Sequence, residues 1–118
     1  MLRRKASMSI TSTRVTWTRV CAVADLPSGE ATTLDIDPPI AVFSVDGSFY
    51  AIDDTCTHET YSLADGYIEG ARVECALHFA QFDLRTGEAL CLPARIGVRT
   101  YPVKTENGHI FVDVGSRG

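Results

Sequence analysis

The chain of 118 residues has no long apolar run: the longest, such as Ile40-Ala41-Val42-Phe43, are only a few residues, far short of the roughly 18 needed to cross a bilayer as a helix. No secretory leader is expected, because Met1-Leu-Arg-Arg-Lys5 carries positive charge with no apolar segment behind it. It has no excess of cations, with Lys plus Arg at 11 against Asp plus Glu at 15 and a formal charge of -4. That sign is the wrong one for nucleic acid, whose phosphates reward clustered cations. No segment sustains a 3.6-residue period over a helix length, and there is no repeat, low-complexity stretch or linker. What is left is one globular domain with no membrane and no nucleic-acid partner. Its 45% hydrophobic and 22% charged residues are ordinary for that class.

Residues 1–14, mostly Ser, Thr and isolated apolars after the basic start, read as a disordered N-terminal tail. Residues 15–114 read as the single domain, and Gly115-Ser-Arg-Gly118 as a C-terminal tail at a true chain end. A reducing, cytoplasmic setting is expected. There the four cysteines, Cys21, Cys56, Cys75 and Cys91, serve as ligands, catalysts or small core residues more readily than as disulfides. The charge is uneven. Asp53, Asp54, Glu59, Asp65, Glu69 and Glu74 face Arg72 alone within 53–74, so the net negative charge is concentrated there. It forms either solvated loops or a patch that steers a basic partner.

The pattern reads as strands and turns throughout. Val15 to Val20 alternates, with Val15, Trp17 and Arg19 on one face, and Trp17 is expected as a core or edge-packing aromatic. Leu26-Pro-Ser-Gly29 is a turn, and Ala31 to Ile36 a short strand ahead of Pro38-Pro39, which cannot enter a central ladder. Ile40 to Val45 and Ser48 to Ile52 flank Asp46-Gly47, the strongest hairpin signal in the chain. Arg72 to Cys75 and Gln81 to Leu84 are candidate strands, with turns at Asp65-Gly66, Gly70-Ala71 and Arg85-Thr-Gly87. Gly97 to Glu106 and His109 to Val114 make a last hairpin across Asn107-Gly108, placing Ile110, Val112 and Val114 on one face. The fold class is all-β: a small antiparallel sandwich or barrel.

The chemistry lies in Cys56-Thr-His58 and Cys75-Ala-Leu-His78, with sixteen residues between His58 and Cys75. Each loop offers one thiolate and one imidazole, and two such loops supply four ligands to one centre. Zinc takes two Cys and two His in a tetrahedron, which would make the chain a zinc-stabilised interaction module. Zinc fingers, however, usually group Cys with Cys and His with His. The order Cys, His, Cys, His suits a two-sided centre such as a [2Fe-2S] cluster with both thiolates on one iron and both imidazoles on the other. A Cys–His nucleophile lacks a third orienting group and leaves one pair unexplained. A mononuclear iron oxygenase site needs two His and a carboxylate, and beyond the four ligands only His109 is left.

With these residues the sequence resembles the Rieske-type ferredoxins of bacterial aromatic-ring-hydroxylating dioxygenase systems. The two ligand loops carry the likeness. So do their flanks: Ala51-Ile-Asp-Asp-Thr55 before the first, Ser62-Leu-Ala-Asp-Gly66 after it, and Phe82-Asp-Leu-Arg-Thr-Gly87 after the second. It runs from about Trp17 to Val114. The resemblance implies a cluster-binding subdomain over about 54–95, set on a sandwich-like base with the cluster near the tip. Cys56 and Cys75 would bind the inner iron, and His58 and His78 the outer, solvent-facing one. It implies a non-enzymatic one-electron carrier, monomeric, that docks briefly near the tip. Electrons would come from an NADH-dependent flavoprotein reductase and pass to the Rieske centre of a terminal oxygenase. The small subunit of an assimilatory nitrite reductase is the alternative of similar fold.

Departures from the wider Rieske pattern are informative. Respiratory members carry an extra, disulfide-bonded Cys in each loop, at positions matched here by Tyr61 and Leu77. They also place a Ser and a Tyr hydroxyl near the cluster, where this chain has Ala80 and Phe82. Fewer donors to cluster sulfur imply a potential toward the low end of the Rieske range, around -150 mV. Glu59 stands where the family commonly has glycine, and is read as a solvated side chain before one that tunes His58 or touches a partner. The segment around Leu92-Pro93, by itself only a turn, matches the family's cluster-covering loop, and Leu77, Phe79 and Pro93 are either shields of the cluster sulfurs or ordinary core.

Overall fold

A computed structural model describes residues 15–57, 61–76, 80–91 and 96–115. The expected tail at 1–14, His58, Glu59, Leu77, His78, Phe79, the segment around Leu92-Pro93 and residues 116–118 lie outside the described residues.

Among the described residues the chain forms eleven short strands and two single turns of 3-10 helix, Val23–Asp25 and Leu63–Asp65. The strands are β1 Trp17–Ala22, β2 Ala31–Leu34, β3 Ile40–Val45, β4 Ser48–Asp53, β5 Tyr67–Glu69, β6 Arg72–Glu74, β7 Gln81–Asp83, β8 Ala89–Cys91, β9 Thr100–Tyr101, β10 Val103–Glu106 and β11 His109–Asp113. They make three antiparallel sheets, ordered β9-β4-β3-β2, β10-β11-β1 and β5-β6-β7-β8.

The central sheet explains the longest apolar run. Ile40 and Val42 of β3 face one core, with Leu26, Ala51, Tyr101, Ile110 and Val112. Ala41 and Phe43 face another, with Ile52, Leu63, Val73, Phe82, Leu84 and Val98. A strand covered on both faces needs no polar side, so its sequence loses the period of two. Each large side chain buried there contributes roughly 1.5–3 kcal/mol. The first core joins the central sheet to the β1 sheet, and the second joins it to β5–β8.

Local chemistry sets the turns. Asp46 (φ 48°) and Gly47 (φ 87°) link β3 to β4, and Asn107 (φ 53°) and Gly108 (φ 79°) link β10 to β11. Both are the positive-φ pairs of type I′ hairpins. The expected last hairpin is corrected in one respect. Its first arm is broken at Pro102, which has no N–H to give a ladder. Thr100 and Tyr101 therefore pair with Ile52 and Ala51 of the central sheet, while Val103 to Glu106 pair with β11. The strand over Ala31 to Ile36 stops at Leu34. Strand β8 was not legible: Ala89-Leu-Cys91 is too short to show a period, and it pairs with β7 through an irregular register. Trp17 takes the edge-packing role. It is 37% exposed on an outer strand, with the Lys104 ammonium 4.6 Å above its ring.

Two glycines separate conformational need from crowding. Gly47 has positive φ with open space around it, whereas a Cβ on Gly87 (φ 79°) would lie 2.0 Å from the Val98 carbonyl oxygen. Gly47→Ala should therefore lose about 1–2 kcal/mol, the cost of left-handed backbone alone, and Gly87→Ala at least twice as much. Urea titration of the two variants checks this; equal losses would contradict the crossing of Gly87 with the 97–98 segment.

Candidate metal centre

Two cysteines occupy matching places. Cys56 follows the Thr55–Ser62 bridge beyond β4, and Cys75 directly follows β6. They are 3% and 1% exposed and lie in the same core cluster, with Phe43, Ile52, Leu63, Ala80 and Phe82. The Cys56 N–H donates to the Tyr61 carbonyl at 2.9 Å, and the Cys75 N–H to the Ala80 carbonyl at 2.7 Å. Each bond closes a loop over the four residues between its ends. His58 is the second residue enclosed by the first loop and His78 the third enclosed by the second. The positions of His58 and His78 themselves lie outside the described residues.

The donor set fits a metal centre on physical grounds. An uncompensated thiolate in an apolar core is costly, and a bound cation offsets that cost. The two sulfur-bearing residues share one apolar cluster, and each begins a closed loop that also contains an imidazole. Ala80 and Phe82 are fully buried in that cluster, and neither carries a hydroxyl. Cys21 and Cys91 lie elsewhere. Cys21 is on β1, packed against the first core, around Ile40, Val42 and Ile110. Burial first, and the Asp25 carboxylate second, hold its thiol above the usual range, so its sulfur stays protonated at neutral pH. Cys91 is exposed at the end of β8.

A second set of residues braces the first loop. Asp54 is buried. Its Oδ1 accepts hydrogen bonds from the Ser62 hydroxyl at 2.8 Å and the Ala64 N–H at 3.0 Å. Its carbonyl accepts the Leu63 N–H at 2.6 Å, and its own N–H donates to Pro39 at 3.0 Å. The Leu63–Asp65 turn is thereby fixed, and Leu63 enters the core beside the cysteines. Gly66 ends the turn where a Cβ would sit 2.3 Å from the Glu74 carbonyl oxygen, so the first loop's exit is pressed against the strand that delivers Cys75.

The segment after the Leu92-Pro93 region is strapped to the same place. The Asp53 N–H donates to the Arg99 carbonyl at 2.9 Å, and Asp53 Oδ2 accepts the Arg99 N–H at 3.2 Å. Asp53 Oδ1 accepts the Tyr101 hydroxyl. The Thr57 hydroxyl, between Cys56 and His58, donates to the Ile96 carbonyl at 2.6 Å. From sequence, Asp53 and Asp54 belong to the acidic stretch and the first loop's flank, and Thr57 has no role of its own; the structure makes braces of all three. An Asp two residues before Cys-x-His hints at a brace, but Ile96 is 39 residues from Thr57 and no local pattern links them. The acidic run also divides: Asp53 and Asp54 are structural, Glu74 accepts from Gln81 at 2.9 Å, and Asp65 and Glu69 are exposed.

Residues 16–102 match the model of the Rieske [2Fe-2S] domain family. The chain is 55% identical over 95 residues to the 3-phenylpropionate/cinnamic acid dioxygenase ferredoxin subunit of Escherichia coli (strain K12), a match covering 80% of this chain and 90% of that protein. Among solved structures it is similar to the Sphingomonas yanoikuyae B1 ferredoxin, with 38% identity, a TM-score of 0.77, and coverage of 83% of this chain and 98% of that one. It is also similar to a chain of the complex of reduced oxygenase and oxidized ferredoxin in carbazole 1,9a-dioxygenase, with 32% identity, a TM-score of 0.79, and coverage of 82% and 92%.

Removing the Asp54 carboxyl leaves the Ser62 hydroxyl and Ala64 N–H without their acceptor. Asp54→Ala should cost about 2 kcal/mol, while Asp54→Asn, which keeps an oxygen at that position, should cost less than half as much. Urea unfolding of both variants tests the brace, and equal losses would contradict it.

Proposed function

This chain belongs to the Rieske [2Fe-2S] family and is an electron-transfer ferredoxin subunit of an aromatic-ring dioxygenase system; on that premise we propose that its site is built from Cys56, His58, Cys75 and His78. The two thiolates would hold one iron and the two imidazoles the other. The segment over about 54–95 acts as the cluster-binding part. When bound, the cluster supplies a one-electron couple.

The rest is the work of the chain's own residues. The core around Phe43, Phe82 and Leu63 keeps water from the two sulfurs. The paired loop closures at Tyr61 and Ala80 hold the two cysteines at equivalent points of their loops. Asp54 and Thr57 fix the ends of the first loop, so that little rearranges when charge arrives. The similarity of the two loops, each opened by a buried Cys and closed by the same backbone hydrogen bond, is the observation that carries this reading.

The electron donor is read as an NADH-dependent flavoprotein reductase, and the acceptor as the Rieske centre of a terminal oxygenase. This is supported by likeness to a protein named as a dioxygenase ferredoxin subunit and to a chain from an oxygenase–ferredoxin complex. One small surface serving two partners calls for brief, weak encounters. The chain is read as a cytoplasmic monomer on the same grounds as in its sequence.

Metal analysis of aerobically purified protein tests the site. Two irons and two acid-labile sulfides per chain are expected, with both lost in Cys56→Ser or Cys75→Ser. A single zinc per chain would overturn the carrier role. The potential tests the surroundings of the sulfurs. A hydroxyl donor worth about 1 kcal/mol to a one-electron couple raises its midpoint by about 40 mV. Ala80→Ser or Phe82→Tyr should do so, and a drop in both would contradict the placement of Ala80 and Phe82 beside the cluster.

A further inference from the structure

Residues 96–101 are bonded to both halves of the candidate site. On one side they hold the start of the first loop at two points. The Thr57 hydroxyl donates to the Ile96 carbonyl at 2.6 Å. The Asp53 N–H donates to the Arg99 carbonyl at 2.9 Å, and the Arg99 N–H donates back to Asp53 Oδ2 at 3.2 Å. Cys56 lies between those two points of the chain. On the other side the Val98 N–H donates to the Gly87 carbonyl at 2.7 Å. Gly87 belongs to the turn between β7, which begins directly after the second loop closes at Ala80, and β8. The approach is so close that a Cβ on Gly97 would lie 2.6 Å from the Gly87 carbonyl oxygen. Between these attachments Val98 is buried in the core cluster that contains Cys56 and Cys75.

The end of the segment is fixed too. Thr100 and Tyr101 pair with Ile52 and Ala51 of the central sheet, and the Tyr101 hydroxyl donates to Asp53. The segment therefore cannot slide along β4 without breaking several hydrogen bonds at once. Two ligand loops carried by separate sheets need their spacing set by something that contacts both. Apolar packing draws the sheets together without direction. Hydrogen bonds, with their narrow range of lengths and angles, fix how far apart the loops stand. Ligands must be held to within about 0.5 Å, and that precision comes from the groups that support them.

We propose that residues 96–99 are a strap that sets the spacing between the two ligand loops, with Thr57 and Gly97 as positioning residues on its two sides. The proposal rests on the metal-centre reading above. It extends that reading from bracing one loop to coupling both, and both residues act through the loops they hold. Thr57→Val removes the donor with little change of shape and frees the first-loop side. Gly97→Ala drives the strap off Gly87 and frees the second-loop side.

The test uses aerobically purified holoprotein of the wild type, Thr57→Val, Thr57→Ser, Gly97→Ala and Gly47→Ala. Two quantities are followed: the rate at which excess EDTA bleaches the visible absorption, and the line width of the electron paramagnetic resonance signal after reduction with dithionite. Thr57→Val and Gly97→Ala should each bleach about tenfold faster than wild type, with broadened lines because the loops take a range of spacings. Thr57→Ser keeps the hydroxyl and should stay within about twofold of wild type. Gly47→Ala loosens the turn at the other end of β4 from the first loop, and should match wild type in both quantities despite its loss of stability to urea. Wild-type bleaching and line width in both Thr57→Val and Gly97→Ala overturn the strap and leave the metal centre standing. Bleaching that follows urea stability across the set, with Gly47→Ala as fast as the others, makes the segment a general brace and equally overturns it. Should Gly97→Ala fail to fold, the contrast between Thr57→Val and Thr57→Ser decides. A wild-type chain with no iron–sulfur signal overturns the metal-centre reading itself, before any variant is compared.

Discussion

The N–H of Cys56 reaches the carbonyl of Tyr61, and the N–H of Cys75 reaches that of Ala80. These two closures make a pair of equal loops out of segments that share little sequence. They also spend the cysteine backbone on loop geometry and leave the sulfurs to the shared core. The sheets hold the closures together. Strand β4 leads toward the first and β6 into the second. The central sheet packs against β5–β8 through Ala41, Phe43, Ile52, Val73 and Phe82, so a shift of either sheet would part the two cysteines.

Charge is handled by position. Thiolates are tolerated in an apolar core only with a cation to offset them, so the core that shields Cys56 and Cys75 from water supports the proposal that they bind metal. The acidic residues around the site do two different things. Asp53 and Asp54 face inward and hold loops by accepting hydrogen bonds from Tyr101, Ser62 and Ala64. Asp65 and Glu69 face water, where they act at longer range on an approaching protein. Composition alone counts these acids together, and only their partners separate them.

Much was legible in the sequence because its signals are local. Asp46-Gly47 and Asn107-Gly108 marked hairpins, and the Cys–His spacing marked the two loops that open on the buried Cys56 and Cys75. The unread features depend on distant contacts. The strand β8 exists because β7 offers it an edge. Pro102 divides one apparent arm between two sheets because the chain crosses from one layer to the other there. Thr57 finds Ile96, and Asp53 finds Tyr101, across 39 and 48 positions. The brace at Asp54 falls between these cases: its partners are 8 and 10 residues away, too far for a turn motif and near enough to be sought once the loop is known.

The central claim is that sulfur donors and nitrogen donors from the paired loops grip one cluster together. Pulsed electron paramagnetic resonance of the dithionite-reduced protein tests it most directly, because it reads nitrogen nuclei bound to the paramagnetic centre. Couplings from two imidazole nitrogens, with the centre lost or altered when either His58 or His78 is replaced, are predicted. A reduced iron–sulfur signal with no directly bound nitrogen would contradict the account.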